Sequence, residues 1–349
     1  MSLTHFGIDL LHSGLSDQLA QLDVLYRVGR SLGLRYLHSP LNDGHGDNFH
    51  GYEMDTFLGL SRGEERLSLY SWQDPKTSPQ ILRLTPRPVP PTTVSLIDWV
   101  RHCVSQDYRE GQTVLMLDPR ENQLALWGSV WGGHSRIWAG LQPTPFQFRR
   151  KYWEQRLQWP MPDGFSPGSV WVAVHIRLGT MKLLTFNNRR FAGAREIAAG
   201  VRPPSYTQDL LAVAVYRELL HALIEEHPPG SLSIRVFSDG YASTYRLAES
   251  LPWSAEQQAE LAQQRRRDER ELYALCELPG VQLQVAGSLY ETVHSLAIAD
   301  VVLWGSGHFV QCTNAFGRNM QRQRFHVVQQ RQEAQAYVRK LVAGNSVRK

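Results

Sequence analysis

The sequence predicts an α/β protein with two Rossmann-like parallel-sheet domains, and two observations carry this prediction. The chain has 349 residues, too many for one ordinary hydrophobic core and suited to two domains. Short apolar runs of strand length alternate with amphipathic helical patterns along the chain. Such alternation is typical of parallel sheets covered by helices. We therefore expect two α/β domains that face a cleft.

The N-terminal domain is predicted over residues 1–160 and opens with a βαβ pattern. Its predicted elements are a strand near 5–9, a helix over 15–32, strands at 34–37 and 114–118, and a helix over 146–158. Residues 42–51 are rich in Gly, Asp, Asn and His and predict a loop. The proline-rich stretch from Pro75 to Pro91 predicts an irregular connection.

The C-terminal domain is predicted over residues 170–349, after a linker at 159–169. Pro and Gly are dense enough in that linker to break both helix and strand. The predicted elements are strands at 171–177, 233–237, 281–285 and 301–304, and helices at 207–226, 242–275, 289–299 and from about 307. Ligands of open α/β sheets bind beyond the carboxyl ends of the strands, so the residues that follow these strands are candidates for a site.

Composition limits the classes of function. The hydrophobic content of 42% and charged content of 20% are those of a soluble globular protein. A net charge of +4 favours anionic ligands, but no basic stripe interleaved with aromatic residues indicates nucleic acid. Three widely spaced cysteines, Cys103, Cys276 and Cys312, match neither a disulfide framework nor a zinc site, which predicts a reducing, cytoplasmic compartment. The first residues of the sequence predict no signal peptide and no apolar run of about 18 residues occurs, although ten tryptophans leave peripheral membrane contact open.

The first candidate site lies at the end of the strand predicted at 171–177. His175 and Arg177 are two residues apart and are therefore expected on one face. The planar guanidinium of Arg pairs well with phosphate, and a charge at the end of an apolar strand is costly without a partner. We predict that both residues bind a nucleotide diphosphate. The alternative is a structural salt bridge beside a hydrogen-bonded His.

Two further strand ends carry residues that are candidates for binding a ligand. Asp239 could accept from guanine or from ribose hydroxyls, or it could cap a helix that begins at Ala242. The run from Gly305 to His308 precedes a predicted helix, whose free N–H groups would bind an anion. A tight turn with Ser306 as the helix cap is the alternative.

The run from His12 to Gln18 is shorter than a dinucleotide fingerprint, and a plain βα turn would also explain it.

The joint order of these motifs resembles that of the GDP-fucose-dependent fucosyltransferases with a GT-B fold. This group includes bacterial α-1,2-fucosyltransferases, α-1,6-fucosyltransferases and protein O-fucosyltransferases. Val174 to Gly179 resembles the group's His-x-Arg signature, and Phe237 to Asp239 resembles a later strand end that carries Asp. Gly305 to Phe309 resembles its third motif, and Ser13 to Leu19 resembles its N-terminal Gly-rich turn.

The resemblance implies a role for each motif. Arg177 would hold the donor β-phosphate, His175 would lie near the nucleoside, and Asp239 would contact guanine. The other implied donor-binding residues are Gly14, Ser306, Gly307, His308 and Phe309. Arg177 would also act in catalysis by stabilising the leaving diphosphate. The candidates for a base on the acceptor are His12, Asp17 and His45.

The implied activity is an inverting transfer of fucose from GDP-fucose to a glycan or other hydroxyl acceptor. The N-terminal domain would hold the acceptor and the C-terminal domain the donor, with no cofactor and no metal, since no Asp-x-Asp motif occurs. Leu178 and Thr180 stand where many members have a second Arg and an Asp, and Ser16 and Asp17 stand for Gly and Asn. Gly307 and His308 replace Ser-Ser. A transferase for another nucleotide sugar and a non-catalytic nucleotide-sugar-binding scaffold are the alternatives.

Overall fold

A computed structural model describes most of the chain. The described residues are 2–10, 14–44, 49–66, 80–85, 95–118, 148–178, 212–240, 254–305, 309–313, 316–317 and 323–346. The chain divides into two compact units, Met1–Pro160 and Met161–Lys349, each with its own parallel sheet. Within the described ranges, no helix is long and apolar enough to cross a membrane.

Strands and helices alternate in the N-terminal unit. In chain order the elements are β1 (His5–Ile8), α1 (Leu15–Ser31), β2 (Arg35–His38), α2 (Gly51–Leu58), β3 (Glu65–Arg66), β4 (Ile81–Arg83), α3 (Leu96–Asp107), β5 (Val114–Leu117) and α4 (Phe148–Gln158). The described strands form a five-stranded sheet in the order β3-β2-β1-β5-β4, and its ladders are parallel. The chain leaves the central β1 in one direction and returns on the other side, so the switch point lies between β1 and β5.

The opening βαβ unit follows the sequence pattern closely. Helix α1 buries Leu22 and Val28 completely, as an apolar stripe at helical spacing requires. Gly33, with φ of 80°, adopts the left-handed conformation just beyond the helix, where glycine has no Cβ to clash. A Cβ at Gly29 would lie 2.4 Å from the Phe6 ring, so this helix reaches β1 closely only because residue 29 is glycine.

The C-terminal unit repeats the α/β alternation. Its elements are β6 (Val170–Ile176), α5 (Val213–Glu225), β7 (Leu232–Ser238), α6 (Ala255–Tyr273), β8 (Val281–Val285), α7 (Leu289–Ile298), β9 (Val301–Trp304), α8 (Phe309–Thr313), β10 (Gln323–His326) and α9 (Arg331–Ser346). The described strands form a five-stranded sheet in the order β10-β9-β6-β7-β8, and its ladders are parallel. The chain runs outward from the central β6 and crosses back to β9, so the switch point lies between β6 and β9.

One face of β6 forms the core of the C-terminal unit. Val174, Ile176 and Leu178 are fully buried and belong to one apolar cluster with side chains of α5 and α9, among them Tyr216 and Val338. Because side chains alternate along a strand, the residues between them point to the opposite face. His175 and Arg177 are therefore on the face away from this cluster.

The predicted α/β fold with two Rossmann-like parallel-sheet domains is confirmed by the two strand orders. The irregular connection predicted from Pro75 to Pro91 was wrong in part, because β4 lies inside it. Since β4 is an edge strand, nearby prolines remove few ladder hydrogen bonds. The sequence analysis also omitted α2, β3, α3, β10 and α9.

The second half of the predicted linker packs on the C-terminal unit. The Phe165 ring stacks on Trp171, with centroids 5.3 Å apart and planes 9° apart. The Ser166 amide donates to Ser233 Oγ over 3.0 Å, and Trp171 Nε1 donates to the Ser166 carbonyl over 3.0 Å. The Arg235 guanidinium lies 5.7 Å from the centre of the Phe165 ring. These contacts hold the chain against the sheet before β6 begins.

Candidate functional site

The carboxyl ends of β6, β7 and β9 bring three of the predicted motifs to one edge of the C-terminal sheet. His175 pairs in register with Phe237 on one side and with Trp304 on the other. Arg177, Asp239 and Gly305 follow just beyond these strands. Since β6 and β9 flank the switch point, this edge is where an open α/β sheet binds ligands.

His175 is buried, with 6% of its surface exposed, and its ring lies against Phe309 with centroids 5.2 Å apart. Burial lowers the pKa of His175 to about 3, and the nearby charge of Arg177 acts in the same direction. The imidazole is therefore neutral near pH 7. Its Nδ1 has no hydrogen-bond partner among the described residues, so one polar atom is left for a ligand.

Arg177 lies one residue beyond β6 and is half-buried. Its Nε is buried and has no hydrogen-bond partner in the part of the chain that the structure describes. A buried donor without a partner costs about 1–3 kcal/mol, and more when it is charged. The guanidinium cannot lose its charge to avoid this cost. The structural salt bridge considered as the alternative does not occur among the described residues.

Asp239 fastens the exit of β6. Its Oδ1 accepts from the Leu178 amide over 2.8 Å, which links the ends of β6 and β7. Burial raises the pKa of Asp239, whereas Arg177 and backbone hydrogen bonds act against that shift. A carboxylate has further acceptor positions beyond this one bond. The helix that Asp239 was considered to cap, from Ala242, lies outside the described residues.

The exit of β9 is held by a residue that the sequence reading missed. The Gly305 carbonyl is 2.9 Å from His326 Nε2, at the end of β10. The helix expected from about residue 307 is described as α8, which has five residues and begins at Phe309. Phe309 is buried beside His175. The other residues proposed here, Ser306, Gly307 and His308, lie outside the described residues.

The Gly14 turn in the N-terminal unit has the geometry of an ordinary helix start. Gly14 is the extended residue before α1, with φ of −60° and ψ of 156°. Its carbonyl accepts from the amides of Asp17 and Gln18, over 3.0 and 3.1 Å. Asp17 is half-buried in the first turn, where a negative charge is favoured by the helix dipole. The other proposed bases, His12 and His45, lie outside the described residues.

A second polar group that the sequence reading missed lies at the carboxyl edge of the N-terminal sheet. Arg83 Nη1 is 3.3 Å from Asp9 Oδ2 and 3.8 Å from Asp118 Oδ2. Asp9 and Asp118 follow β1 and β5, the two strands that flank the switch point of that sheet. Each is the first polar residue after an apolar strand, and this signal could have identified them.

No metal site is evident in the described residues. None of the described His, Cys, Asp or Glu side chains forms a group of three or more that could hold a metal ion. Independence of metal stays a prediction from the sequence. What the site does offer a ligand is the positive charge of Arg177 and a neutral imidazole.

Comparisons with known proteins give similarity at the level of fold. No protein-family model matches the chain, and no curated protein matches it. One similar structure is POFUT1 in an apo form, 10% identical with a TM-score of 0.46, over 93% of this chain and 98% of that one. E. coli heptosyltransferase WaaC with ADP-2-deoxy-2-fluoro heptose is 11% identical with a TM-score of 0.41, over 98% and 100%. NodZ alpha-1,6-fucosyltransferase co-crystallized with GDP is 11% identical with a TM-score of 0.31, over 90% and 93%.

Proposed function

We propose that this chain is an inverting, metal-independent glycosyltransferase that transfers fucose from GDP-fucose to a hydroxyl group of a glycan or another acceptor. One observation carries the proposal. The buried Nε of Arg177 and the buried Nδ1 of His175 have no partner among the described residues, and both lie at the switch point between β6 and β9. A bound diphosphate would supply an acceptor oxygen and a compensating charge for Arg177, and His175 Nδ1 would be open to a polar atom of the same ligand.

The order of the motifs supports a guanosine diphosphate sugar. The chain carries His-x-Arg, then a strand end with Asp239, then the Gly305 turn followed by Phe309, as the resemblance requires. In the structure these three follow neighbouring strands of one sheet. The proposed partner is therefore a nucleotide-sugar donor in the C-terminal unit, with guanine near Asp239.

The proposed reaction is a single displacement. The acceptor oxygen bonds to the anomeric carbon, the bond from that carbon to the diphosphate oxygen breaks, and GDP leaves with the bonding electron pair. The fixed positive charge of Arg177 stabilises the negative charge that develops on the diphosphate. His175 acts there as a neutral group, since its pKa is about 3. The proton of the acceptor hydroxyl passes to a base, for which Asp17 and His12 remain the proposed residues.

The non-catalytic alternative has one observation in its favour. Leu178 stands where many members of the resembled group have a second Arg, and it is fully buried in the apolar cluster. This position therefore has no charged side chain at the site. A nucleotide-sugar-binding scaffold would keep Arg177 and His175 but would not turn over the donor.

Calorimetry with the full chain, without added metal, tests the proposal. We expect GDP and GDP-fucose to bind and UDP and ADP to bind much more weakly. Selective binding of UDP or ADP would point to another nucleotide sugar, and no binding of any of the four would overturn the proposal. Release of GDP from GDP-fucose, with or without an acceptor, then distinguishes a transferase from a scaffold.

A further inference from the structure

His326 makes an unusually complete set of hydrogen bonds for an imidazole at the end of an edge strand. Its Nε2 is 2.9 Å from the Gly305 carbonyl, and its Nδ1 is 3.3 Å from each of the Val328 and Gln329 amides. The Trp304 ring packs edge-on against the imidazole, with centroids 5.3 Å apart and planes 82° apart. The ring is thus held on three sides.

These contacts determine the tautomer of the imidazole. Backbone amides only donate, so Nδ1 must accept and cannot carry a proton. The proton is then on Nε2, which donates to the Gly305 carbonyl. The two ring nitrogens therefore do different things: Nδ1 caps the chain where it leaves β10, and Nε2 holds the chain where it leaves β9.

The second of these bonds acts on the proposed donor site. Trp304, the residue before Gly305, pairs in register with His175 on β6 and with His326 on β10. Gly305 is therefore the first residue beyond β9, next to the strand end that leads to Arg177. Fixing its carbonyl fixes the direction in which the chain leaves β9 at the switch point.

We propose that His326 is a positioning residue for the donor site: its Nε2–H holds Gly305 in the orientation that nucleotide-diphosphate binding beside Arg177 requires. This inference rests on the proposed function. His326 does not touch the ligand, and it acts through the backbone of Gly305.

Two substitutions separate the two ring nitrogens. In His326→Asn, the amide oxygen stands near the position of Nδ1 and can still accept from Val328 and Gln329, but nothing reaches Gly305. In His326→Gln, the amide nitrogen stands near the position of Nε2 and can still donate to Gly305. We expect His326→Asn to weaken GDP binding by about fivefold to tenfold, the effect of one lost hydrogen bond. His326→Gln should restore the affinity to within about twofold of wild type.

Calorimetry with GDP and the thermal unfolding midpoint, measured on the same full-length proteins, decide the matter. A merely structural role predicts that GDP affinity follows the unfolding midpoint in both variants. Equal losses of affinity in the Asn and Gln variants, or no loss in either, would overturn the positioning role while the proposed function stands. If the wild-type chain itself does not bind GDP, the proposed function fails, and the role of His326 in it fails with it.

Discussion

The two sheets have similar strand orders, but the polar side chains at their carboxyl edges are paired differently. In the N-terminal sheet the polar side chains pair with each other: His38 Nε2 lies 2.9 Å from Asp55 Oδ1, and Arg83 lies between two aspartates. In the C-terminal sheet, Arg177 Nε and His175 Nδ1 are buried without partners among the described residues. Buried polar groups are normally hydrogen-bonded, so an exception calls for an explanation. The two edges differ in how their arginines are placed: Arg83 is paired with two aspartates, whereas Arg177 forms no ion pair within the described residues, so an external anion would supply the missing charge.

The largest expected effect comes from breaking the buried pair of His38 and Asp55 at the carboxyl edge of the N-terminal sheet. His38 and Asp55 are 3% and 5% exposed, so His38→Ala would leave a carboxylate buried without its nearest partner. We expect a loss of about 3–5 kcal/mol in the free energy of unfolding, measured with denaturant. His38→Gln, which keeps a donor, is the control and should lose less. A loss below about 1 kcal/mol in His38→Ala would show that the pair does little for the fold.

The next largest effect is expected from removing the guanidinium of Arg177, which has no ion-pair partner among the described residues. Arg177→Ala should weaken GDP binding by about 2–4 kcal/mol, because a charge that pairs with a desolvated phosphate is lost. The unfolding free energy should change little or rise, since the substitution also removes a buried donor without a partner. Calorimetry measures the first quantity and denaturant titration the second.

Arg83→Ala is the matched control for Arg177→Ala, because it removes an arginine from the corresponding edge of the other sheet. It should leave GDP affinity unchanged. Arg177→Lys keeps the charge without the planar fork and should recover only part of the affinity. Unchanged GDP affinity in a folded Arg177→Ala protein would contradict the assignment of the donor site to the region around Arg177.

A smaller effect is the dependence of stability on pH at the buried imidazole. His175 has a pKa of about 3 in the folded chain, below the unfolded value of about 6.5. Between these values the unfolded chain binds the extra proton, so the folded state loses stability as pH falls from about 6.5 towards about 3. The slope contributed by His175 should be at most about 1.4 kcal/mol per pH unit.

His175→Asn should abolish this contribution, which unfolding titrations at pH values between about 5 and 7 would reveal as a shallower dependence. His221→Asn, at an exposed histidine on α5, is the control for the loss of an imidazole elsewhere in the chain. Equal pH dependence in wild type and His175→Asn would mean that the imidazole is not buried as described.

The elements that the sequence predicted well are those whose patterns are local. The strand runs at β6, β7 and β9 and the stripe on α1 report burial directly, and their bounds fall within one or two residues of the predicted ones. The end of an apolar run can be recognised from the sequence alone, so Arg177 and Asp239 could be identified as strand-end residues. The bond from Asp239 to the Leu178 amide could not be predicted, because it depends on which strands become neighbours.

His326 and Arg83 were missed for a related reason. Each ends a short edge strand whose apolar pattern is brief, and their partners are distant in sequence. The bond from His326 to Gly305 spans 21 positions, and that from Arg83 to Asp9 spans 74. Only the fold reveals that these side chains act on strand ends at a switch point.

The smallest expected effect tests whether Asp239 recognises guanine or only holds the end of β6 at the carboxyl edge of the C-terminal sheet. Its bond to the Leu178 amide needs only an acceptor oxygen, which Asp239→Asn retains. Since burial raises the pKa of Asp239, a neutral amide should not lower the free energy of unfolding. Guanine recognition, by contrast, requires two acceptors facing the N1–H and the 2-amino group, and an amide offers one. We therefore expect Asp239→Asn to lower GDP affinity by about 1 kcal/mol at unchanged stability. ADP binding serves as the control, because a general distortion of the edge would weaken GDP and ADP alike, whereas loss of guanine contacts weakens only GDP. If GDP affinity stays the same, Asp239 fastens the strand exit and the base is recognised elsewhere.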